Sequence, residues 1–581
     1  MASWFERVAE MDITFNIGGE AGQGIDTIGD LLTQVFVKAG FYTYTIKDFE
    51  SRIRGGYNFT QIRVSDRRIV APVDEIDLIV ALTRDAIVNQ RHRLREGGVI
   101  IFEDTIEFED LEACHYPAPL EKIAKDMGGN VRMTNAAALG AILSVMRFPF
   151  ELAEHALQDI FGRKGQKIVE GNVAVARAMY DMTRERFAGS CTQNLAGLRE
   201  GPCKDGFLVT GNRALALGAM AANLKWISAY PMSPSTSAFQ DIIESAKDLN
   251  IGFLQAEDEI AAICMAIGAS FSGARSMVTT SGGGFSLMVE GVGLAAMAEV
   301  PIVIYNAQRP GPSTGLPTRT EQADLLFMAF SSQGEFPRIM LAPKDPEEAM
   351  GVAVRAFDLT ERFQVPVMIL GDQYFADSVM NIAKPDITGV KIDRGKISDG
   401  SAGSEYKRYL LADDGISPRA FPGGPETVVS SGNAHSEDGH ISEDASNRYE
   451  MVRKFMVKVP QIVEALEPPK IYGPETAEVT LLSWGSTWGA VNEALYLLNS
   501  SGRSFNQLHF CDIYPLKTET LADVFQKAEK VVSVEMNATS QFASLVRMVT
   551  GLEVASQINK YDGRPMTAKW IIKKLEEAAI A

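Results

Sequence analysis

One arginine stands in a loop stiffened by proline and glycine: Gln308-Arg309-Pro310-Gly311-Pro312-Ser313-Thr314-Gly315-Leu316-Pro317-Thr318. A guanidinium offers paired N–H donors that match a carboxylate, and neighbouring hydroxyls can fill its remaining lone pairs. The loop therefore points to capture of a small carboxylate. A second stiff turn, Tyr230-Pro231-Met232-Ser233-Pro234-Ser235-Thr236, presents three hydroxyls on a proline-fixed backbone. Capping of a following helix accounts for Ser235 or Thr236, but not for the stiffening on both sides of Ser233. A third cluster, Glu257-Asp258-Glu259, heads an apolar stretch in which Ile260, Ile263, Cys264 and Ile267 share one face at helical spacing. The helix dipole favours acids in a first turn, which explains at least two of the three. Then comes Thr280-Ser281-Gly282-Gly283-Gly284, a glycine turn that lets backbone approach a ligand closely. Near the start of the chain, Gly18-Gly19-Glu20-Ala21-Gly22-Gln23-Gly24 lies between a strand pattern and a helix pattern, and Arg52 and Arg54 stand just before a Gly55-Gly56 pair further on. Such glycines either expose N–H groups to a phosphate or pack strand against helix. Their spacing departs from the dinucleotide G-x-G-x-x-G pattern, and no clear acidic ribose ligand follows.

These groups need a scaffold, and three long stretches of the chain read as α/β. Strand patterns fall at 12–17, 77–82, 98–102, 226–230, 276–280, 301–305, 479–483 and 531–534, with helical patterns such as 27–38 between them. Strands alternating with helices predict mostly parallel sheets in several three-layer domains. Four segments result: 1–195, 205–385, 386–469 and 470–581. The third is rich in Gly, Ser, Asp and Pro, and a structureless stretch of that length is either functional or mobile.

The chain has 581 residues and a net charge of −18, from 56 Lys and Arg against 74 Asp and Glu. That balance argues against general nucleic-acid binding and against docking on an anionic membrane surface. No apolar run approaches the length that spans a bilayer, and the first ten residues lack an apolar signal core. The expected compartment is the cytosol. The five cysteines are widely spaced and there are six histidines, so neither a disulfide framework nor a metal or iron–sulfur site held by this chain alone is expected.

Taken in order, these features resemble the 2-oxoacid:ferredoxin oxidoreductases, specifically the alpha subunit with a gamma domain fused at its N-terminus. Residues 18–24 and Arg54-Gly55-Gly56 resemble the gamma domain. Tyr230-Pro231-Met232-Ser233-Pro234-Ser235 resembles the family's YPITPS motif, with Met232 for Ile and Ser233 for Thr. Residues 308–318 match its RxGPSTGxPT loop. Residues 406–424 and 435–447 resemble the connector of 2-oxoglutarate-type members. The stretch from Gly485-Ser486-Thr487 to Lys560-Tyr561-Asp562-Gly563-Arg564-Pro565 resembles a C-terminal transketolase-like domain.

The resemblance implies a gamma-type domain over 1–195, a pyrimidine-binding thiamine-enzyme domain over 205–385, an irregular connector over 386–469 and a transketolase-like domain over 470–581. It implies a cytoplasmic enzyme that uses thiamine diphosphate to turn a 2-oxo acid and coenzyme A into acyl-CoA and CO2, with electrons passing to ferredoxin. The connector points to 2-oxoglutarate, giving succinyl-CoA; pyruvate or a broad range of 2-oxo acids is the alternative. By its spacing from the glycine turn, Glu259 matches the carboxylate that serves the cofactor's aminopyrimidine, with Glu257 second. Arg309 corresponds to the arginine that holds the substrate's C1 carboxylate, accompanied by Ser233, Thr314 and Thr318. Tyr230, Pro231, Ser281 and Gly282 are expected against the cofactor, and Gly22, Gly24 and Arg54 are candidates for coenzyme A. This chain has no GDG…N motif for the diphosphate and Mg2+, and no cysteine set for a [4Fe–4S] cluster. The resemblance assigns both to a separate beta subunit, in an (alpha-beta)2 assembly. Rival readings are a thiamine enzyme that never uses ferredoxin, a nicotinamide dehydrogenase built on the N-terminal glycines, and a non-catalytic assembly scaffold.

Overall fold

Isoleucine and phenylalanine at every second position of Asp12–Glu20 give this strand a face for a core, and it is buried over most of its length. In the computed structural model, which describes residues 11–51, 55–108, 113–186, 201–203 and 206–580, it lies in the interior of an eight-stranded sheet. The strand order is Cys114–Ala118, Leu94–Glu103, Ile76–Ala81, Asp12–Glu20, Tyr57–Ser65, Tyr42–Asp48, Val379–Ile382 and Phe207–Thr210. The chain divides into two compact units, and this sheet belongs to the first, made of residues up to Val209 together with Ser378–Lys384. Phe15 and Ile17 pack with Leu31, Val35 and Phe36 of the helix Ile25–Lys38.

The expected mostly parallel sheet is mixed here. Asp12–Glu20 runs parallel to Ile76–Ala81 on one side and antiparallel to Tyr57–Ser65 on the other. Tyr42–Asp48 and Tyr57–Ser65 are joined by too short a connection for a crossover, so they pair as a hairpin. Asn381 ties the returning strand in place, accepting from Thr43 N at 2.8 Å and donating to Phe41 O at 2.9 Å. Cys114 is disulfide-bonded, whereas its wide spacing from the other cysteines gave no expectation of a bond. Separation along the chain does not measure separation in the fold.

The second unit, Thr210–Asp377 with residues 385–581, holds a seven-stranded sheet in the order Asp512–Tyr514, Ile339–Leu341, Pro366–Asp372, Ile302–Gln308, Ser276–Thr280, Trp226–Ala229 and Gly252–Gln255. Its internal pairings are parallel, and only Asp512–Tyr514 runs antiparallel. A five-stranded sheet follows, with Phe505–Phe510, Val479–Trp484, Lys530–Glu535 and Ser556–Asn559 parallel and Lys470–Tyr472 antiparallel at its edge. The helix Glu259–Phe271 departs from its expected face. Ile263 and Ile267 are buried, but Ile260 is 52% exposed and Cys264 is exposed. The helix is apolar nearly all round, so periodicity could not choose its inner stripe.

Between Ile382 and the helix Ala445–Met456 the connector has almost no regular structure, yet two buried carboxylates pin it to the sheet domain. Glu361 pairs with Arg394 and Arg419 of the connector and with Arg275 of the domain itself. Glu299 pairs with Lys454 and with Lys458, the latter at 2.6 Å. Arg408 donates to the Glu299 carbonyl at 2.7 Å and to Gln364 at 3.0 Å. Burial alone would push the Glu299 carboxyl up. The charges of Lys454, Lys458 and Arg408 outweigh it and hold the carboxyl down at about 2, from an ordinary 4.5.

A depressed carboxylate stabilises the fold above its unfolded pKa and loses that contribution as pH falls through its folded one. The carboxylate's stabilising share of the clasp is therefore present at neutral pH and is lost as pH falls from 4.5 to about 2. Hydrogen exchange read by mass spectrometry should show residues 406–419 and 445–458 losing protection in that acid window. Glu299→Gln should lose the same protection already at pH 7. Unchanged protection in the variant would remove the clasp from the account.

Candidate active site

Parallel strands end at one edge of a sheet, and open α/β sheets bind ligands at their C-terminal edges. Trp226–Ala229, Ser276–Thr280 and Ile302–Gln308 all finish there, delivering the proline turn, the glycine turn and Arg309 in turn. The Arg309 guanidinium donates from Nη1 to the Ser233 carbonyl at 2.8 Å, so the two stiff segments read from the sequence meet. The carbonyls on either side of Ser233 are also taken. Met232 O accepts from Ser235 N at 3.0 Å and from Ser235 Oγ at 2.8 Å, and Pro234 O accepts from Asn212 Nδ2 at 2.8 Å. Ser235 thus spends its hydroxyl on the turn, and the helix Thr236–Leu249 has no side-chain cap. Ser233 is exposed, as are Tyr230 and Pro231 at the start of the turn.

The arginine loop closes on itself through Leu316 N, which donates to Pro310 O at 3.0 Å. Gly315 permits this closure: its φ is 54°, and a Cβ there would come 2.7 Å from the Pro310 carbonyl carbon. Thr314 is exposed at the tip and Thr318 is half-buried. Beyond the loop the chain is fastened to Asp372 at the end of Pro366–Asp372. Its fully buried carboxylate accepts from Thr320 Oγ1 at 3.2 Å, Gln322 Nε2 at 3.0 Å, Phe375 N at 2.9 Å and Ser486 Oγ at 2.5 Å.

The three acids at 257–259 separate by environment. Asp258 caps the helix Glu259–Phe271, accepting from Ala261 N at 2.7 Å, and Glu257 is exposed. Glu259 is 3% exposed, and its Oε1 is buried without a hydrogen-bond partner. Gly284 makes room for it, since a Cβ there would lie 2.6 Å from Oε1 and 2.8 Å from Cγ. In the same turn Ser281 Oγ is buried without a partner, and it does not cap the helix Gly282–Met297. A buried carboxylate oxygen with no donor is costly in a dry protein, so the site suits a ligand that brings one. An aminopyrimidine with its N–H groups fits that requirement.

Asp324, which sequence reading missed, links the glycine turn to Arg309. A Cβ on Gly282 would come 2.7 Å from its Cγ, and Asn306 Nδ2 donates to its Oδ2 at 3.0 Å. Burial pushes the Asp324 carboxyl up, against the Asn306 hydrogen bond and the Arg309 charge, while burial lowers Arg309 against the pull of Asp324. A Cβ on Gly283 would lie 3.7 Å from Ser313 O, which brings the arginine loop over the glycine turn. No periodicity flags Asp324; a lone acid in a loop sequence is a weak signal.

The remaining site expectations fall in the first unit. Glu20 N donates to Gln23 Oε1 at 2.7 Å, and Gln23 N to Glu20 O at 3.2 Å, closing the N-terminal glycine turn. Gly24, at φ 80°, starts the helix Ile25–Lys38 against the Asn135 side chain, while Gly22 is exposed with open space around it. Arg54 lies outside the described residues.

Comparison with known proteins identifies the family. Residues 217–454 match the family model described as pyruvate flavodoxin/ferredoxin oxidoreductase, thiamine diP-binding, and residues 14–182 match pyruvate ferredoxin/flavodoxin oxidoreductase. The 2-oxoacid:ferredoxin oxidoreductase subunit alpha of a Sulfolobus species is 31% identical, over 98% of this chain and 97% of that one. The 2-oxoglutarate oxidoreductase subunit KorA of Mycobacterium tuberculosis is 29% identical, over 92% and 87%. The solved 2-oxoglutarate:ferredoxin oxidoreductase from Magnetococcus marinus, with 2-oxoglutarate, coenzyme A and succinyl-CoA bound, superposes with a TM-score of 0.91 at 30% identity, over 98% of this chain and 99% of that one. With a buried donorless carboxylate, an arginine loop over the sheet edge and this likeness along nearly its whole length, the chain belongs to the alpha subunits of the 2-oxoacid:ferredoxin oxidoreductases.

Proposed function

We propose that this subunit supplies the substrate-carboxylate clamp and the pyrimidine-side carboxylate of a cytoplasmic enzyme that decarboxylates 2-oxoglutarate to succinyl-CoA. The observation that carries the reading is the pairing of Arg309 with the Ser233 turn at the sheet edge that also holds the donorless Glu259. Bound thiamine diphosphate supplies the carbon nucleophile and the electron sink for decarboxylation. Glu259 Oε1 accepts from an N–H of the aminopyrimidine, with Ser281, Gly282, Tyr230 and Pro231 lining the ring's surroundings. Arg309 binds the C1 carboxylate of the 2-oxo acid, and the hydroxyls of Ser233, Thr314 and Thr318 fill its remaining lone pairs.

The choice of 2-oxoglutarate is supported by the names of the KorA relatives and by the ligands named for the Magnetococcus marinus enzyme. The same likeness supports coenzyme A as acyl acceptor, with Gly22, Gly24 and Arg54 as its proposed contacts. A beta subunit completes the site, carrying the diphosphate, Mg2+ and a [4Fe–4S] cluster and passing electrons to ferredoxin, in an (alpha-beta)2 assembly. It docks beside Glu259, where Ile260 and Leu287 of the two adjoining helices are each about half exposed.

The direct test is co-expression with the beta subunit and an anaerobic assay of coenzyme-A-dependent viologen reduction. Rapid reduction with 2-oxoglutarate and little with pyruvate is expected; the reverse would overturn the substrate. In that complex Arg309→Ala should lower kcat/KM about a hundredfold or more, mainly through KM, because a charged hydrogen-bonded contact is lost. Glu259→Gln should cut kcat at least about a hundredfold with the subunits still assembled, and Glu257→Gln should have little effect. If the two glutamate variants exchange these behaviours, Glu257 takes the role.

A further inference from the structure

The turn that presents Ser233 is held from behind by a buried pair that touches neither substrate nor cofactor in the reading above. Asn212, in the first turn of the helix Gly211–Ala221, is fully buried. Its Nδ2 donates to Pro234 O at 2.8 Å and to Ser237 Oγ at 2.7 Å, so both amide hydrogens are spent on the segment that follows Ser233. Its Oδ1 accepts from the Tyr305 hydroxyl at 2.6 Å. Tyr305 is also fully buried, and burial, with Asp372 and Asp377 nearby, pushes its phenol well up, so the O–H remains a donor. That bond fixes which end of the Asn212 amide faces Pro234, because only the NH2 end can then serve the carbonyl.

Tyr305 and Arg309 belong to one run of chain, since Ile302–Gln308 carries the tyrosine and ends directly before the arginine. This strand therefore grips the proline turn twice. Tyr305 reaches Pro234 O through Asn212, and Arg309 reaches Ser233 O directly. The two gripped carbonyls are adjacent and lie on either side of the Pro234 ring. We propose that Asn212, oriented by Tyr305, is a positioning residue for the 2-oxo acid: it sets the distance between the Ser233 hydroxyl and the Arg309 guanidinium, and so the fit of the substrate carboxylate. The inference rests on reading Arg309 and Ser233 as the clamp. Satisfying a buried amide is the plainer role for these bonds, and kinetics separate the two.

The experiment uses the assembled enzyme with its beta subunit. Asn212→Asp keeps the shape but puts an acceptor against Pro234 O, and Tyr305→Phe removes one oxygen and leaves both Asn212 donors in place. We expect KM for the 2-oxo acid to rise about tenfold in Asn212→Asp and about threefold in Tyr305→Phe, with kcat within about twofold and KM for coenzyme A unchanged. Combined with Arg309→Lys, Asn212→Asp should add little, because both act on one carboxylate. Equal losses in kcat and in both KM values, or full additivity with Arg309→Lys, would overturn the positioning role. If Asn212→Asp fails to assemble, Tyr305→Phe decides by the same criteria. A raised KM in Arg309→Lys with unchanged KM in both other variants defeats only this inference. An unchanged KM in Arg309→Lys with every 2-oxo acid defeats the clamp reading itself.

Discussion

A carboxylate taken out of water must collect donors, and Asp372 collects them from three parts of the chain. Thr320 and Gln322 come from the segment after the arginine loop, Phe375 N from the turn after its own strand, and Ser486 from the C-terminal sheet region. Loss of any one of them would leave a buried carboxylate oxygen with one hydrogen bond fewer. The loop that carries Arg309, Thr314 and Asp324 is therefore moored at its far end to the sheet and to the C-terminal part together. Gln322 N also donates to Met536 O at 2.7 Å, which doubles the mooring.

The buried acids of the second unit form a series. Asp372 is met by neutral donors, and Glu299 and Glu361 by cations. Glu259 Oε1 is met by nothing among the described residues. The first two solutions build structure, because every lone pair they satisfy belongs to the fold. The third leaves a demand that the fold does not answer, and such a demand is how a protein reserves a place for something else. The same contrast runs through the serines, where Ser486 and Ser235 spend their hydroxyls on protein while Ser281 Oγ is buried without a partner.

Much of this was legible in the sequence because it is local. Short apolar runs marked strands such as Ser276–Thr280 and Val479–Trp484, and proline and glycine marked the two segments that meet at Arg309 and Ser233. What was not legible depends on distance in space. Three adjacent acids look alike as letters, and only burial sets Glu259 apart from Glu257. Asp324 and Asn212 matter through partners far along the chain. The connector's composition reads as loose, yet Arg419, Lys454 and Lys458 find their carboxylates, and Arg408 a backbone carbonyl, in a separate segment. Ile260 and Cys264 carried the right period and still faced outward, since a helix apolar nearly all round has no preferred stripe.

The strand Asp512–Tyr514 carries a consequence for how the molecule is made. It forms the outer edge of the seven-stranded sheet, pairing Tyr514 with Met340 and Asp512 with Leu341, and Asp512 also bonds Arg355. As the chain leaves the ribosome, Ile339–Leu341 emerges long before its neighbour has been synthesised. Until then the nascent sheet ends in an open edge with unpaired N–H and C=O groups, the kind of template that other chains can join. Val379–Ile382 imposes a similar wait on Tyr42–Asp48 in the first sheet. Both units thus mature later than their first residues suggest, and the cell must shelter first one unfinished edge and then the other while the chain is translated.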